Sequence, residues 1–147
     1  MNKKGFTLIE LLAVIVILAI ILLIAMPIVL NILDEARRGA FNATGYGLVK
    51  TAENEYLRRS LDGTPDAVTY SFSGGEQQDP DPASVDELEF SGEAPTVGGI
   101  HVTSGGVITM TIHDGVYCSY KGPDTTDVTT EEMDLAGCDL TAAPWTP

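Results

Sequence analysis

The stretch Lys3-Lys4-Gly5-Phe6-Thr7-Leu8-Ile9-Glu10 runs directly into an unbroken apolar segment over residues 11–26. Two lysines, a glycine and a single carboxylate stand at the edge of a strongly apolar helix. A helix over residues 6–33 would reach about 42 Å at 1.5 Å per residue, more than the roughly 30 Å hydrocarbon core of a bilayer. The lysines place the N-terminus on the cytoplasmic side and the rest of the chain outside. Glu10 is the odd member, because a carboxylate at the start of a spanning segment costs free energy and calls for a partner. Pro27 removes a backbone donor, so a kink or local unwinding is expected there. An ordinary secretory signal has a shorter apolar core and a small-x-small cleavage site, and Met26-Pro27 supplies none. A plain signal anchor accounts for the length and the lysines but not for Glu10.

Charge divides the chain in the same way. The formal net charge is −13 over 147 residues, and after Arg59 only Lys121 is basic against sixteen acids. An acidic, well-solvated head is expected outside the membrane. Nucleic-acid binding by that head is disfavoured, since phosphate contacts need clustered cations. Arg37, Arg38, Lys50, Arg58 and Arg59 instead lie among Asp34, Glu35, Glu53 and Glu55, which balance them along one helix.

From residue 31 to about 61 the pattern becomes amphipathic. Leu33, Ala36, Ala40, Ala43 and Gly47, then Leu48, Ala52 and Tyr56, recur at helical spacing. One long helix is expected, continuing over residues 34–61, although Gly39, Gly45 and Gly47 each cost roughly 1 kcal/mol against alanine. Leu61-Asp62-Gly63-Thr64-Pro65 is a stop signal. Beyond it, Val68, Tyr70 and Phe72 alternate as one face of a strand or an extended edge. Residues 73–84 read as a loop, and residues 85–90 as a short strand or a turn of helix. The clearest strand signal covers residues 97–121. Asp114-Gly115 reads as a two-residue hairpin turn, pairing residues 107–113 with 116–121. A three-residue loop at Ser104-Gly105-Gly106 sets Ile100 and Val102 beside Met110 and Ile108 on one face. The resulting three-stranded meander must bury that face, and the amphipathic part of the helix is the large partner available. The fold expected is α+β, with a long N-terminal helix whose outer half packs on a small antiparallel sheet.

Cys118 and Cys138 both fall in the exported part, where an oxidising location favours a disulfide. Closing that loop contributes roughly 3 kcal/mol on the chain-entropy account and would pin the irregular residues 122–137 to the sheet. A metal site would need His101 and His113, neither of which stands at ligand spacing. The acids Asp79, Asp81, Asp86, Glu87 and Glu89 match no defined calcium loop and read as a solvated loop. Hydrolase, phosphate-loop, zinc-protease and haem signatures are all missing from the sequence. An enzyme is not expected, nor is a cofactor. Trp145 could tuck against the head or stand as an exposed contact.

The block from Lys3 to Glu10, with its apolar run and Pro27, resembles the class III signal of type IV pilins, of the pseudopilins of type II secretion and of competence pilins. The resemblance covers roughly residues 1–60, and residues 40–57 look most like pilin-type proteins of Gram-positive bacteria. It implies a leader over residues 1–5, cut by prepilin peptidase between Gly5 and Phe6, followed by N-methylation of Phe6. It implies a role for Glu10 in guiding subunits into a helical filament, and a disulfide-bounded region near the C-terminus of a head over residues 62–147. The partners implied are the bilayer before assembly, the inner-membrane assembly machinery and further copies of the chain. The location implied is a single-pass membrane precursor, then a cell-surface or extracellular filament. A pseudopilin of a secretion machine and a membrane-anchored binding module that never polymerises remain alternatives.

Overall fold

The computed structural model describes residues 5–63 and 65–138. Its elements are one helix, α1 (Leu8–Ser60), and six strands: β1 (Val68–Ser73), β2 (Glu76–Gln77), β3 (Val97–Val102), β4 (Ile108–His113), β5 (Tyr117–Lys121) and β6 (Thr129–Glu132). By its internal contacts the chain divides into residues 1–37 and residues 38–147.

In the first unit the described residues are the start of α1 and the three residues before it. The helix is continuous through Pro27, so the local unwinding expected there does not occur. One proline removes one donor, and the helical bonds on either side hold the turn. The large apolar side chains of this unit stand exposed, from Phe6 at 88% to Leu33 at 48%.

The second unit has a closed core. Its sheet runs in the order β2-β1-β3-β4-β5-β6, and all neighbours are antiparallel. One face meets α1 through Phe41, Leu48, Val49 and Ala52, which pack with Val68, Tyr70, Phe72, Ile100, Val102, Met110 and Ile112. Burying each large apolar side chain contributes about 1.5–3 kcal/mol. The helical stripe differs from its expected phase upstream of Leu48. Ala40 and Ala43 are exposed, while Phe41 and Gly45 are buried. The phenyl ring of Phe41 removes more apolar area from water than an alanine methyl, and it sets the face. Gly45 lets the sheet close in, since a Cβ there would stand 3.0 Å from Val128 Cγ1 and 3.1 Å from Met110 Cε.

The β3–β4 register is the one read from the three-residue loop, with Ile100 opposite Met110 and Val102 opposite Ile108. Thr103 N donates to Val107 O at 2.9 Å, and Gly106 takes a positive φ of 81° to close the turn. The β4–β5 turn differs. His113 lies opposite Cys118, not Val116, and the central pair is Gly115-Val116. A tight Asp-Gly turn of the favoured hairpin type needs positive φ at both positions, whereas here only Gly115 has it. Asp114 instead accepts at Oδ1 from Val116 N at 2.8 Å and Tyr117 N at 2.7 Å, an Asx turn. The register moves by two positions, so every side chain keeps its expected face.

Three expanded or corrected elements remain. The meander is part of a six-stranded sheet, because β1, β2 and β6 join it. Residues 73–84 hold the short strand β2 within the expected loop. Residues 85–90 form neither strand nor helix. They still contribute to the core through buried Leu88 and through Phe90, whose ring meets that of Phe72 edge-on at 5.7 Å.

Candidate processing and assembly site

Gly5 and Phe6 precede α1 without regular structure, and both are exposed. Lys3 and Lys4 lie outside the described residues. The Gly5–Phe6 peptide therefore lies outside the helix.

The helix begins with a reciprocal cap that the residue types announce. Thr7 N donates to Glu10 Oε2 at 2.8 Å, Thr7 Oγ1 donates to the same oxygen at 2.7 Å, and Glu10 N donates to Thr7 Oγ1 at 3.3 Å. This is the Ser/Thr-x-x-Glu capping box, in which two orphan amides of the first turn are satisfied at once. The carboxylate also lies at the positive end of the helix dipole. Glu10 thus has a partner within its own chain, a reading that the sequence spacing allowed and that the argument from membrane cost alone passes over. From Leu8 onward α1 is long and apolar enough to cross a membrane.

The C-terminal part of the head is tied down separately. Cys118 and Cys138 are joined in a disulfide with Cα atoms 5.7 Å apart. Beside it, buried His113 bonds through Nε2 to Met133 O at 2.8 Å and accepts at Nδ1 from Gly115 N at 2.9 Å. Only the neutral tautomer protonated at Nε2 makes both bonds. His113 is thus a structural clasp between β4 and the segment after β6. His101 lies elsewhere on the sheet, with Nδ1 3.0 Å from Thr69 Oγ1, and partial burial lowers its pKa. On the other edge, Asn42 Nδ2 on α1 donates to Val128 O at 3.1 Å and Thr130 Oγ1 at 2.9 Å. That bond pair fixes β6 to the helix.

The basic residues of α1 that are paired face acids, as expected for charge balance. Lys50 meets Glu53 at 2.7 Å, and Arg58 meets Glu55 at 2.8 Å and Asp86 at 2.9 Å. The hydrogen bonds that Arg58 donates to Glu55 and Asp86 raise its pKa further. These exposed pairs contribute little to stability. Lys121 donates to Ile108 O at 2.8 Å, and burial lowers its pKa. Among the described residues no three His, Cys, Asp or Glu side chains come together to hold a metal ion. Trp145 lies outside the described residues.

Residues 1–26 match the family described as the Prokaryotic N-terminal methylation motif. No curated protein and no solved structure gives a significant match to the chain. The exposed Gly5–Phe6 junction, the capped Glu10 and the apolar helix behind them all fall in or directly follow the matched residues. The chain carries the prepilin signal of the type IV pilins and pseudopilins.

Proposed function

We propose that this chain is a structural subunit of a type IV pilus-like filament, made as a membrane-anchored precursor and polymerised through the first half of α1. The observation that carries the reading is the exposed apolar surface from Leu8 to Leu33 behind a methylation-type signal. An apolar surface of this length is stable only in lipid or against other apolar helices. A bilayer supplies the first environment, and neighbouring copies of α1 supply the second. Cleavage between Gly5 and Phe6 removes the leader and frees the α-amine of Phe6, which is then N-methylated.

Glu10 has two roles in this reading. In the single chain it caps its own helix through Thr7. In the filament it pairs with the Phe6 amine of a neighbour, and a copy docked at the wrong height leaves a buried charge unpaired. That error costs about 3–5 kcal/mol, while the correct pair contributes little net stability. The carboxylate therefore acts as a register device. A pseudopilin of a type II secretion machine uses the same handle and is supported by the same signal. A non-polymerising anchor would share the membrane segment but have no use for Glu10 beyond the cap.

Paired substitutions test the two roles. Thr7→Val removes the hydroxyl half of the cap and should weaken the first helical turn by about 1 kcal/mol, with a modest fall in filament yield. Glu10→Ala loses both roles and should abolish most assembly while insertion, cleavage and head folding persist. Equal yields from Glu10→Ala and Thr7→Val, both near that of the unaltered chain, would contradict the register role.

A further inference from the structure

Of the five cations on α1, three have partners. Lys50 meets Glu53, Arg58 meets Glu55 and Asp86, and Arg59 donates through Nη2 to Asp66 O at 2.9 Å. Arg37 and Arg38 are exposed and make no ion pair or side-chain hydrogen bond among the described residues. They stand along the helix between the exposed apolar surface, which reaches Leu33, and the buried stripe, which begins at Phe41. Residues 11–33 hold no charged side chain, and Asp34 and Glu35 follow directly. At 1.5 Å per residue that run is about 34 Å long. A tilt of about 30°, within the range spanning helices adopt, fits it to the roughly 30 Å hydrocarbon core. Leu33 then stands at the hydrocarbon edge on the exported side.

Arg37 and Arg38 come four and five residues after Leu33, which places them about 5–7 Å beyond that edge. The headgroup layer on each side of the core is itself about 5–7 Å deep. Both arginines therefore stand at the depth of the lipid phosphates. A guanidinium offers a planar fork of N–H donors that matches two phosphate oxygens, and its long stem reaches outward along the helix. Asp34 and Glu35, nearer the core, cancel the net charge of the cluster. The attraction is thus a local contact between guanidinium and phosphodiester, not a general pull toward an anionic surface. We propose that Arg37 and Arg38 bind the phosphodiester groups of the lipid leaflet on the exported side and set the height at which the precursor rests. This rests on the membrane-anchored reading of the first half of α1. Withdrawal of a subunit into a filament breaks these contacts.

The chain has four arginines, so the guanidinium carbon is a compact reporter. The full chain, labelled with carbon-13 at arginine Cζ, is reconstituted in phosphatidylcholine vesicles. Solid-state NMR then reads dephasing of the Cζ signal by lipid phosphorus, which requires close contact. The expected result is dephasing of about half the signal, lost in Arg37→Gln/Arg38→Gln. Arg58→Gln, on a cation paired with Glu55 and Asp86, should leave the dephased part unchanged. Oriented circular dichroism of the same samples reports whether α1 spans the bilayer. An inserted chain without dephasing would overturn the headgroup contact alone, whereas a chain that does not insert would overturn the membrane-anchored reading as well. Dephasing that survives in Arg37→Gln/Arg38→Gln would also overturn the proposal. In maltoside micelles with added inorganic phosphate no dephasing is expected, and equal dephasing there would assign the pair to free phosphate. Contacts between guanidinium and carboxylate of differently labelled copies, in place of dephasing, would assign it to a second copy. Either result overturns the lipid contact.

Discussion

Two stretches of the same helix, residues 8–33 and residues 41–56, have the same backbone structure and opposite surroundings. In the first, Ile9, Leu23 and Ile24 are exposed at 71%, 78% and 63%. In the second, Leu48 and Ala52 are buried at 0% and 1% against the sheet. The difference lies in where the partner is. The outer stretch alternates apolar and polar residues because one face meets its own head and the other meets water. The first stretch is apolar on all sides, which is the composition of a helix whose partners all lie outside the chain.

The two halves should therefore fail independently. The largest effect expected is from Gly5→Leu, which should leave the precursor uncut and eliminate filaments. Head stability should not change, because a Cβ added at Gly5 would meet nothing within 4 Å beyond its chain neighbours. Immunoblotting for precursor size, with denaturant melts of the head, checks both halves of that statement. Ile100→Ala tests the reverse. It opens a cavity beneath α1 and opposite Met110, and should destabilise the head by about 2–5 kcal/mol, while insertion and cleavage stay normal. A destabilised head with impaired cleavage would mean that the two regions are coupled.

Cys118→Ser should lower head stability by about 2–4 kcal/mol. It should make the segment after β6 protease-sensitive, because the hydrogen bonds of Met133 with His113 and Val116 and the short strand β6 are then left to hold it. Limited proteolysis with and without reductant reads this, and an unchanged digest would refute the clasp. The smallest effect concerns Tyr70, whose hydroxyl ionises at about 12 because of burial and then the nearby charge of Glu55. The folded pKa is raised above the unfolded value near 10. The contribution is therefore fully present below pH 10 and is lost as pH rises from about 10 to about 12. Tyr70→Phe should flatten that part of the stability profile, measured by denaturant melts across the range.

What the sequence disclosed follows the same division. The apolar helix and its signal were legible because a run from Leu11 to Met26 has few alternative readings. The β3–β4 pairing was legible because Ile100, Val102, Ile108 and Met110 share a face only if three residues close the turn. The β4–β5 turn was misplaced because Asp114-Gly115 suits two turns, and only the amides held by the Asp114 carboxylate distinguish them. Strands β2 and β6 were missed because Glu76-Gln77 and Thr129-Thr130-Glu131-Glu132 have no apolar alternation. They are edge strands held by backbone pairing and, for β6, by Asn42. At the N-terminus the Thr7-x-x-Glu10 spacing is a written capping signal, yet the membrane cost of a carboxylate draws attention to partners outside the chain.

The most direct test of assembly is intact-mass analysis of this chain in filaments sheared from cells. The result expected is a chain in the sheared fraction that begins at Phe6, carries one added methyl group and has lost two hydrogens to the Cys118–Cys138 bond. A chain found only in the membrane fraction and still beginning at Met1 would contradict both the processing and the filament role.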